Sequence, residues 1–247
     1  MKNKKINHAY KNYKTIASDV NDKNLYILSG RYKFMKKKYK SICTDIFKKL
    51  DIQKSDDIFD IGTGDGEIIK FLSKKSKSST TIDSPEIINK IPKSKKITYL
   101  KGNVIKDKKI IKKKFDKILV YSVIQYFYSL KEILYFINFC IKLLKKSGTI
   151  LIGDIPNKDM NLRYLKTKSF IKQSKIFDKN KKKGFSKIDK KFHQMFNKKK
   201  CIILDDKKLL FLLKKYNNNA LESYILPQKK DLPYSVNRVD LLIKKRS

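Results

Sequence analysis

From about residue 55 onwards, the chain changes between short apolar runs and stretches with helical spacing. A short apolar run bounded by turn residues is typical of a buried strand, and apolar positions three and four residues apart predict an amphipathic helix. The predicted strands are residues 57–61, 79–83, 97–100, 115–122 and 149–154, and the predicted helices between them are residues 67–73, 85–91 and 130–146. Strands and helices that alternate in this way predict a parallel sheet covered on both faces.

Two of the predicted helices, one of them upstream of the first strand, have clear apolar stripes. Residues 31–50 form one amphipathic helix that leads into the first strand, and residues 130–146 form another. Lys145, Lys146 and Gly148 are favourable residues at the C-terminal end of the second of these helices.

The pattern lapses after Pro156 for about fifty residues, which is typical of a lid, a binding loop or a partly disordered segment. Order returns at Asp205, the predicted N-cap of a helix that ends near Tyr216, and strands over 220–226 and 236–244 follow. The predicted organisation is an N-terminal helical cap (1–54), a core (55–156), an insert or lid (157–204), and a helix with a closing strand pair of the same core (205–247).

Length and composition support one α/β domain with appended segments. A chain of 247 residues with 40% hydrophobic residues can build one sizeable core. Its three cysteines, Cys43, Cys140 and Cys201, are widely separated, so we expect a reducing compartment, no disulfide scaffold and no metal site. The basic N-terminus lacks the apolar segment of a signal peptide, and no apolar run is long enough for a membrane span. We therefore expect a cytoplasmic protein.

The charge has two competing explanations. The formal net charge of +38 is typical of proteins that bind nucleic acid. However, nearly all of the basic residues are lysines spread over the whole chain, in a sequence also rich in isoleucine and asparagine, the residues that AT-rich codons specify. Because proteins that recognise phosphates and base edges favour arginine, this distribution favours compositional drift over a nucleic-acid surface.

The clearest chemical signal is the segment 60–66, Asp-Ile-Gly-Thr-Gly-Asp-Gly, where the first strand should give way to a helix. Its glycines follow a GxGxG pattern and allow a tight turn that a ligand can approach without meeting a Cβ atom. Asp60, just before the glycines, supplies a carboxylate that would stabilise a ligand carrying a positively charged sulfonium group. Asp83 follows Gly64 by nineteen residues, at the end of the second strand, where it can accept hydrogen bonds from both ribose hydroxyls.

This turn resembles the first motif of class I S-adenosylmethionine-dependent methyltransferases, an acidic residue followed by GxGxG. The resemblance covers residues 57–154, with the closing strand pair in keeping. It implies a Rossmann-like α/β fold with a seven-stranded, mostly parallel sheet, an antiparallel final strand and S-adenosylmethionine as cofactor. The implied cofactor-binding residues are Asp60, Gly62, Thr63, Gly64, Gly66, Asp83, Ser84, Asn103, Val104, Tyr121 and Ser122.

The sequence departs from the family at one position and leaves simpler readings open at others. Family members often carry an acid after the third strand that binds the adenine amino group, whereas this chain has Asn103, which can still form a hydrogen bond. The glycine pattern alone is compatible with a plain tight turn. Asp65 is expected to be a solvated loop residue, Glu67 a first-turn helix acid, and Tyr121 either a site or a core residue.

Methyl transfer depends mainly on positioning donor and acceptor, so a catalytic base is optional. The candidate bases are Asp154, Tyr164 and His193. Asp154 is favoured because it stands at the carboxyl end of a strand, and an exposed loop position is the favoured interpretation for His193. The candidate substrate-binding residues are Arg31, Tyr32, Gln125, Tyr126 and Arg163. The rare arginines, including Arg238, suit a carboxylate or phosphate group, or form ordinary surface ion pairs.

Three functional hypotheses follow. The first is a methyltransferase that acts on a small molecule, such as a hydroxyl of a sugar or nucleotide-linked sugar, because the 29–32 segment and the insert resemble substrate-enclosing caps. The second, motivated by the charge, is a methyltransferase of RNA or another nucleic acid. The third is a catalytically inactive binding protein of the same fold, motivated by Asn103 and by the lack of a clear base.

Overall fold

The computed structural model describes residues 15–168, 170–171, 174–175, 179, 187–191 and 201–246. Seven strands form one sheet in the order β3-β2-β1-β4-β5-β7-β6, in which β7 is antiparallel to both neighbours and the other neighbouring pairs are parallel. The strands are β1 (Asp57–Ile61), β2 (Ser78–Asp83), β3 (Ile97–Lys101), β4 (Phe115–Tyr121), β5 (Leu144–Pro156), β6 (Leu221–Pro227) and β7 (Arg238–Lys245). The predicted fold class and its antiparallel final strand are confirmed.

Helices cover both faces of this sheet. They are α1 (Tyr39–Leu50), α2 (Glu67–Leu72), α3 (Pro85–Lys90), α4 (Leu130–Lys142), α5 (Lys158–Leu165) and α6 (Asp206–Lys215), with 3₁₀ turns at Leu25–Ser29, Lys33–Lys38, Lys108–Ile110 and Ile124–Tyr126. Side-chain caps begin several of them, because the first N–H groups of a helix lack partners within it. Asp205 accepts a hydrogen bond from Lys208 N–H, so the predicted N-cap is confirmed. None of the described helices is long and apolar enough to cross a membrane.

Three apolar clusters hold the layers together. On one face, Ile46 and Leu50 of α1 pack with Leu72 of α2 against the sheet. On the other face, Phe136 and Ile137 of α4 are completely or almost completely buried in a cluster that also includes α6. The third cluster joins the N-terminal segment to α3. Burial of each such side chain stabilises the fold by roughly 1.5–3 kcal/mol.

Three details of the sequence prediction are wrong. Residues 31–50 are not one helix, because the 3₁₀ turn Lys33–Lys38 precedes α1. The helix predicted over 130–146 ends at Lys142, because Leu144 already pairs with Phe115 in the sheet and places Lys145, Lys146 and Gly148 in β5. The start of the insert is also not irregular: Asn157 Oδ1 accepts hydrogen bonds from Asp159 and Met160 N–H and begins α5.

The strand order places a crevice at one edge of the sheet. The chain runs from β1 outward to β2 and β3, then returns to β4 on the other side of β1. In open α/β sheets, ligands bind at such a switch point, outside the carboxyl ends of the strands. Since β7 runs antiparallel, its first residue, Arg238, pairs with Pro156 at this same edge.

Candidate functional site

The glycine turn between β1 and α2 is built on backbone conformations that favour glycine. Gly62, Gly64 and Gly66 have φ angles of 84°, 58° and 78°, in a region that other residues adopt only with strain. Gly62 N–H donates to Ile82 O at 2.9 Å, which ties the turn to β2. A Cβ atom on Gly64 would lie 2.4 Å from Ser29 Oγ, so the N-terminal segment lies directly on the turn.

A first cavity lies against this turn at the carboxyl edge of the sheet. It brings together most of the residues predicted to bind the cofactor: Asp60, Gly62, Thr63, Asp83, Ser84, Asn103, Tyr121 and Ser122. Leu28, Ile68, Ile87, Val123 and Phe127 supply apolar walls. Gly64, Gly66 and Val104 are not among the described residues that line it.

Asp83 is oriented by the turn. Its Oδ2 accepts a hydrogen bond from Gly64 N–H at 3.1 Å, and its Oδ1 accepts one from Ser84 N–H at 2.7 Å. Burial raises the pKa of this carboxyl to about 6, although both backbone hydrogen bonds act in the opposite direction. The carboxylate therefore has a fixed direction at the cavity wall, with its remaining lone pairs open to a donor.

Asp60 adds a second, more deeply buried acid. It is 3% exposed, and its Oδ2 accepts a hydrogen bond from Thr81 Oγ1 at 3.0 Å. Burial raises its pKa to about 7, and the neighbouring carboxylates of Asp83 and Asp65 contribute to this increase. Two acids with raised pKa values in one cavity favour a cationic ligand, because a nearby positive charge relieves the cost of ionising them.

Asn103 is less available to a ligand than the sequence suggested. Its Oδ1 accepts hydrogen bonds from the N–H groups of Ile105 and Lys106, at 3.0 and 3.1 Å. These two bonds use the lone pairs of the oxygen, so the Nδ2 donor is the part of the amide that remains for adenine.

Asp65 is not the solvated loop residue that the sequence predicts. It is 4% exposed and accepts a hydrogen bond from the hydroxyl of Ser29 and another from the hydroxyl of Tyr39. Arg31 packs against the same tyrosine: its guanidinium carbon lies 5.3 Å from the ring centre of Tyr39 and 5.7 Å from that of Tyr121. The N-terminal segment is therefore fastened over the glycine turn.

A second cavity adjoins the first. The two share five lining residues: Ser29, Arg31, Tyr121, Ser122 and Tyr126. Predicted site residues Tyr32, Gln125 and Asp154 line the second cavity, together with Tyr234 and Arg238. The wall between two adjoining cavities is where a donor in one could meet an acceptor in the other.

Ser122, directly after β4, and Asp154, two residues before the end of β5, share the same unusual conformation. Their φ angles are 59° and 61°, and Ser122 Oγ donates to Asp154 Oδ2 at 2.5 Å. Asp154 N–H donates to the carboxylate of Asp240 at 2.8 Å, and Arg238 donates to the Asp154 carbonyl oxygen at 2.9 Å. Strained residues that the surroundings hold in place are frequent at functional sites.

The structure does not bring every predicted residue to this edge. Arg163 forms an exposed ion pair with Asp206 at 2.8 Å, the surface pair that was its alternative interpretation. Tyr164 lies on α5 with its ring 5.5 Å from that of Phe170, and neither Arg163 nor Tyr164 is among the described residues lining the two cavities. His193 lies outside the described residues.

The sequence analysis missed Asp240, which is completely buried and supports the second cavity from behind. It accepts hydrogen bonds from Asp154 N–H and from Lys49 Nζ, the latter at 2.6 Å. An acid that interrupts the apolar run 239–243 was a signal for such a role, because buried charges are normally paired.

No family model matches the chain, and no curated protein matches it in sequence. Solved structures do match. The N-methyltransferase NodS from Bradyrhizobium japonicum WM9, in complex with S-adenosyl-L-homocysteine, covers 97% of this chain and 100% of its own, with a TM-score of 0.59 and 12% identity. The plantazolicin methyltransferase BpumL, in complex with a monoazolic desmethylPZN analogue and S-adenosylhomocysteine, covers 98% and 99%, with a TM-score of 0.59 and 16% identity.

A third match is longer than this chain. Phosphoethanolamine N-methyltransferase 1 from Haemonchus contortus, in complex with phosphoethanolamine and S-adenosylhomocysteine, has a TM-score of 0.65 and 15% identity. The match covers 100% of this chain and 50% of that protein. At these identities the likeness is one of fold.

Proposed function

We propose that this chain, whose fold is that of the class I S-adenosylmethionine-dependent methyltransferases, holds S-adenosylmethionine in the first cavity and methylates a small acceptor in the second. The observation that carries this proposal is the Asp83 carboxylate, which the Gly64 and Ser84 N–H groups orient at the cavity wall. A carboxylate with this orientation after β2 suits the two hydroxyls of a ribose.

The residues of the first cavity fit this cofactor in charge and shape. Asp60 and Asp83 supply negative charge for a sulfonium, and the apolar walls suit an adenine ring. Gly62 and Ser29, which both line the first cavity, would hold the amino-acid portion close to the backbone. When bound, the cofactor supplies an electrophilic methyl group on a positively charged sulfur.

The second cavity supplies the acceptor side. Asp154 lies there with its carboxylate fixed by the Ser122 hydroxyl, so it can orient an acceptor hydroxyl or amine and receive its proton. The compared enzymes are named for a phosphoethanolamine acceptor and for plantazolicin, which supports a small molecule or peptide. A hydroxyl of a sugar or nucleotide-linked sugar is one acceptor that this cavity allows.

Calorimetric titration of the purified protein tests the cofactor assignment. We expect one-to-one binding of S-adenosylhomocysteine, with no binding of NAD⁺ at the same concentration, because the first cavity offers two acids where a pyrophosphate would need donors. A folded protein that binds neither, or that prefers NAD⁺, would contradict the proposal.

A nucleic-acid substrate is the second candidate, favoured by the net charge of +38. If the charge reflects composition alone, any RNA affinity should fall steeply with salt and show no sequence preference. Methyl transfer to an RNA at physiological salt, with a defined methylated position, would establish this alternative and displace the small-molecule acceptor.

A further inference from the structure

The two adjoining cavities differ in charge. Among the described residues that line the first cavity, the acids Asp60, Asp83 and Glu132 outnumber one arginine, Arg31. Those that line the second cavity include one acid, Asp154, and two arginines, Arg31 and Arg238. The first cavity therefore suits a cation, whereas the second carries an excess of positive charge.

Arg31 supplies a buried cation without an ion-pair partner in the described part of the chain. It is 7% exposed, and the carboxylates of Asp154 and Asp65 act on its charge without forming a direct salt bridge in the described part of the chain. Its Nη1 donates to Ser29 O at 3.2 Å, which is the hydrogen bond that its guanidinium makes to the described residues. A guanidinium has five N–H donors, and a buried charge is costly unless it is paired. An anion in the cavity could accept from the Arg31 donors that bond to no described residue.

Arg238, which is far from Arg31 in the sequence, lines the same cavity. It is the first residue of β7, and its Nη1 donates to the Asp154 carbonyl oxygen at 2.9 Å while it lies 3.7 Å from the Asp154 carboxylate. Its guanidinium carbon is 5.4 Å from the ring centre of Tyr234. These contacts hold the planar group in one orientation and leave it 20% exposed.

We propose that the second cavity binds the acceptor through an anionic group, a carboxylate or a phosphate, which Arg31 and Arg238 hold. This inference rests on the proposed function. The planar fork of arginine matches the oxygens of either group. Asp154 accepts a hydrogen bond from the Ser122 hydroxyl and lies 3.7 Å from Arg238, and the two arginines still outnumber this one acid among the described lining residues. The rest of the acceptor would then extend towards Ser122 and Tyr126 on the shared wall.

The test is calorimetric titration of protein saturated with S-adenosylhomocysteine, using inorganic phosphate in one series and acetate in another at constant ionic strength. We expect saturable one-to-one binding of at least one probe, and the preferred probe distinguishes the two anion classes. Arg238→Gln should weaken that binding by roughly tenfold or more, since a hydrogen bond between charged groups contributes about 1.5–3 kcal/mol. Arg238→Lys, which keeps the charge but loses the fork, should fall between wild type and Arg238→Gln.

Arg246→Gln is the matched control. Arg246 directly follows β7, pairs with Glu222 at 3.5 Å, and is separated from Arg238 by the length of the strand, roughly 25 Å at strand spacing. Its substitution removes the same charge from a strongly basic protein but should leave probe binding unchanged. Equal losses in Arg238→Gln and Arg246→Gln, or no saturable binding of either probe, would overturn the inference.

The same titration separates this inference from the proposed function. Failure of S-adenosylhomocysteine to bind would contradict the cofactor assignment. Normal S-adenosylhomocysteine binding without anion binding would leave that assignment intact and remove the anionic acceptor alone. Circular dichroism of each variant establishes that it is folded before its binding is compared.

Discussion

Ser29 holds Asp65 through two hydrogen bonds: its Oγ donates to Asp65 Oδ1 at 2.7 Å and accepts from Asp65 N–H at 3.0 Å. Ser29 belongs to the N-terminal segment, whereas Asp65 is the acid within the glycine turn. One hydroxyl therefore joins the segment that covers the first cavity to the turn that forms its floor. Because Ser29 lines both cavities, this contact also fixes the wall between them.

The variant Ser29→Ala should weaken both the fold and ligand binding. It leaves the Asp65 N–H without its acceptor, a loss of about 1–3 kcal/mol in the free energy of unfolding, and S-adenosylhomocysteine affinity should fall several-fold. Denaturant unfolding and calorimetry measure the two effects. Ser18→Ala is the control, since the exposed Ser18 hydroxyl donates to the nearby Thr15 carbonyl oxygen. Equal behaviour of the two variants would contradict this role for Ser29.

Gly153 leaves room for the Tyr121 ring at the shared wall. A Cβ atom on Gly153 would lie 2.3 Å from Tyr121 Cδ2 and 2.5 Å from Cε2. Gly153→Ala should therefore displace the ring, cost about 1–3 kcal/mol in the free energy of unfolding, and reduce S-adenosylhomocysteine affinity.

A double-mutant cycle with Tyr121→Val isolates that clash. Valine removes the ring atoms that the new Cβ would meet, so Gly153→Ala should cost less in the Tyr121→Val background than in wild type. Strict additivity of the two substitutions, measured by chemical unfolding, would show that the clash is not the cause.

The raised pKa of Asp60 predicts a pH-dependent stability difference. Its pKa is about 7 in the folded protein and about 4 when unfolded, so between these values the folded state binds more protons and stability falls as the pH rises. The contribution of Asp60 to the free energy of unfolding is fully present below about pH 4 and is lost by about pH 7, a change on the order of 4 kcal/mol. As the pH rises through this range, the free energy of unfolding of Asp60→Asn should increase relative to that of wild type. A difference between the two proteins that does not change with pH would contradict the assignment.

The same acids should make binding of the charged cofactor pH-dependent. Ionisation of Asp60 and Asp83 increases the negative charge of the first cavity as the pH rises through about 6 to 7. Affinity for S-adenosylmethionine should therefore increase over this range more than affinity for S-adenosylhomocysteine, which lacks the sulfonium charge. Parallel pH profiles for the two ligands would show that the acids do not interact with that charge.

The local parts of this site could be predicted from the sequence. The segment from Asp60 to Gly66 predicts the strand and its turn, and the spacing to Asp83 predicts the end of the next strand. These predictions need only residues that are close in the sequence. The end of α4 could not be predicted in the same way, because Leu144 enters β5 through its pairing with Phe115. Sheet pairing there overrides a favourable local helix end.

The second cavity depends on contacts between distant parts of the chain. Arg238 reaches it because β7 is antiparallel and begins at the edge where the parallel strands end, a relation set by strand order. Asp240 accepts a hydrogen bond from the N–H of Asp154, which lies 86 positions earlier in the chain. Composition drew attention to Arg163 equally, yet Asp206 pairs with it at the surface. Residue type alone could not separate these two arginines.

The most direct test of the central claim is S-adenosylmethionine affinity in Asp83→Asn, compared with Asp51→Asn. Asp51 is an exposed acid after α1, so its substitution makes the same change in charge outside both cavities. Asp83→Asn should weaken binding by roughly tenfold to a hundredfold, since it removes a charged acceptor for the ribose, and Asp51→Asn should bind like wild type. Equal affinity in Asp83→Asn and Asp51→Asn, with both variants folded, would contradict the assignment of the first cavity to this cofactor.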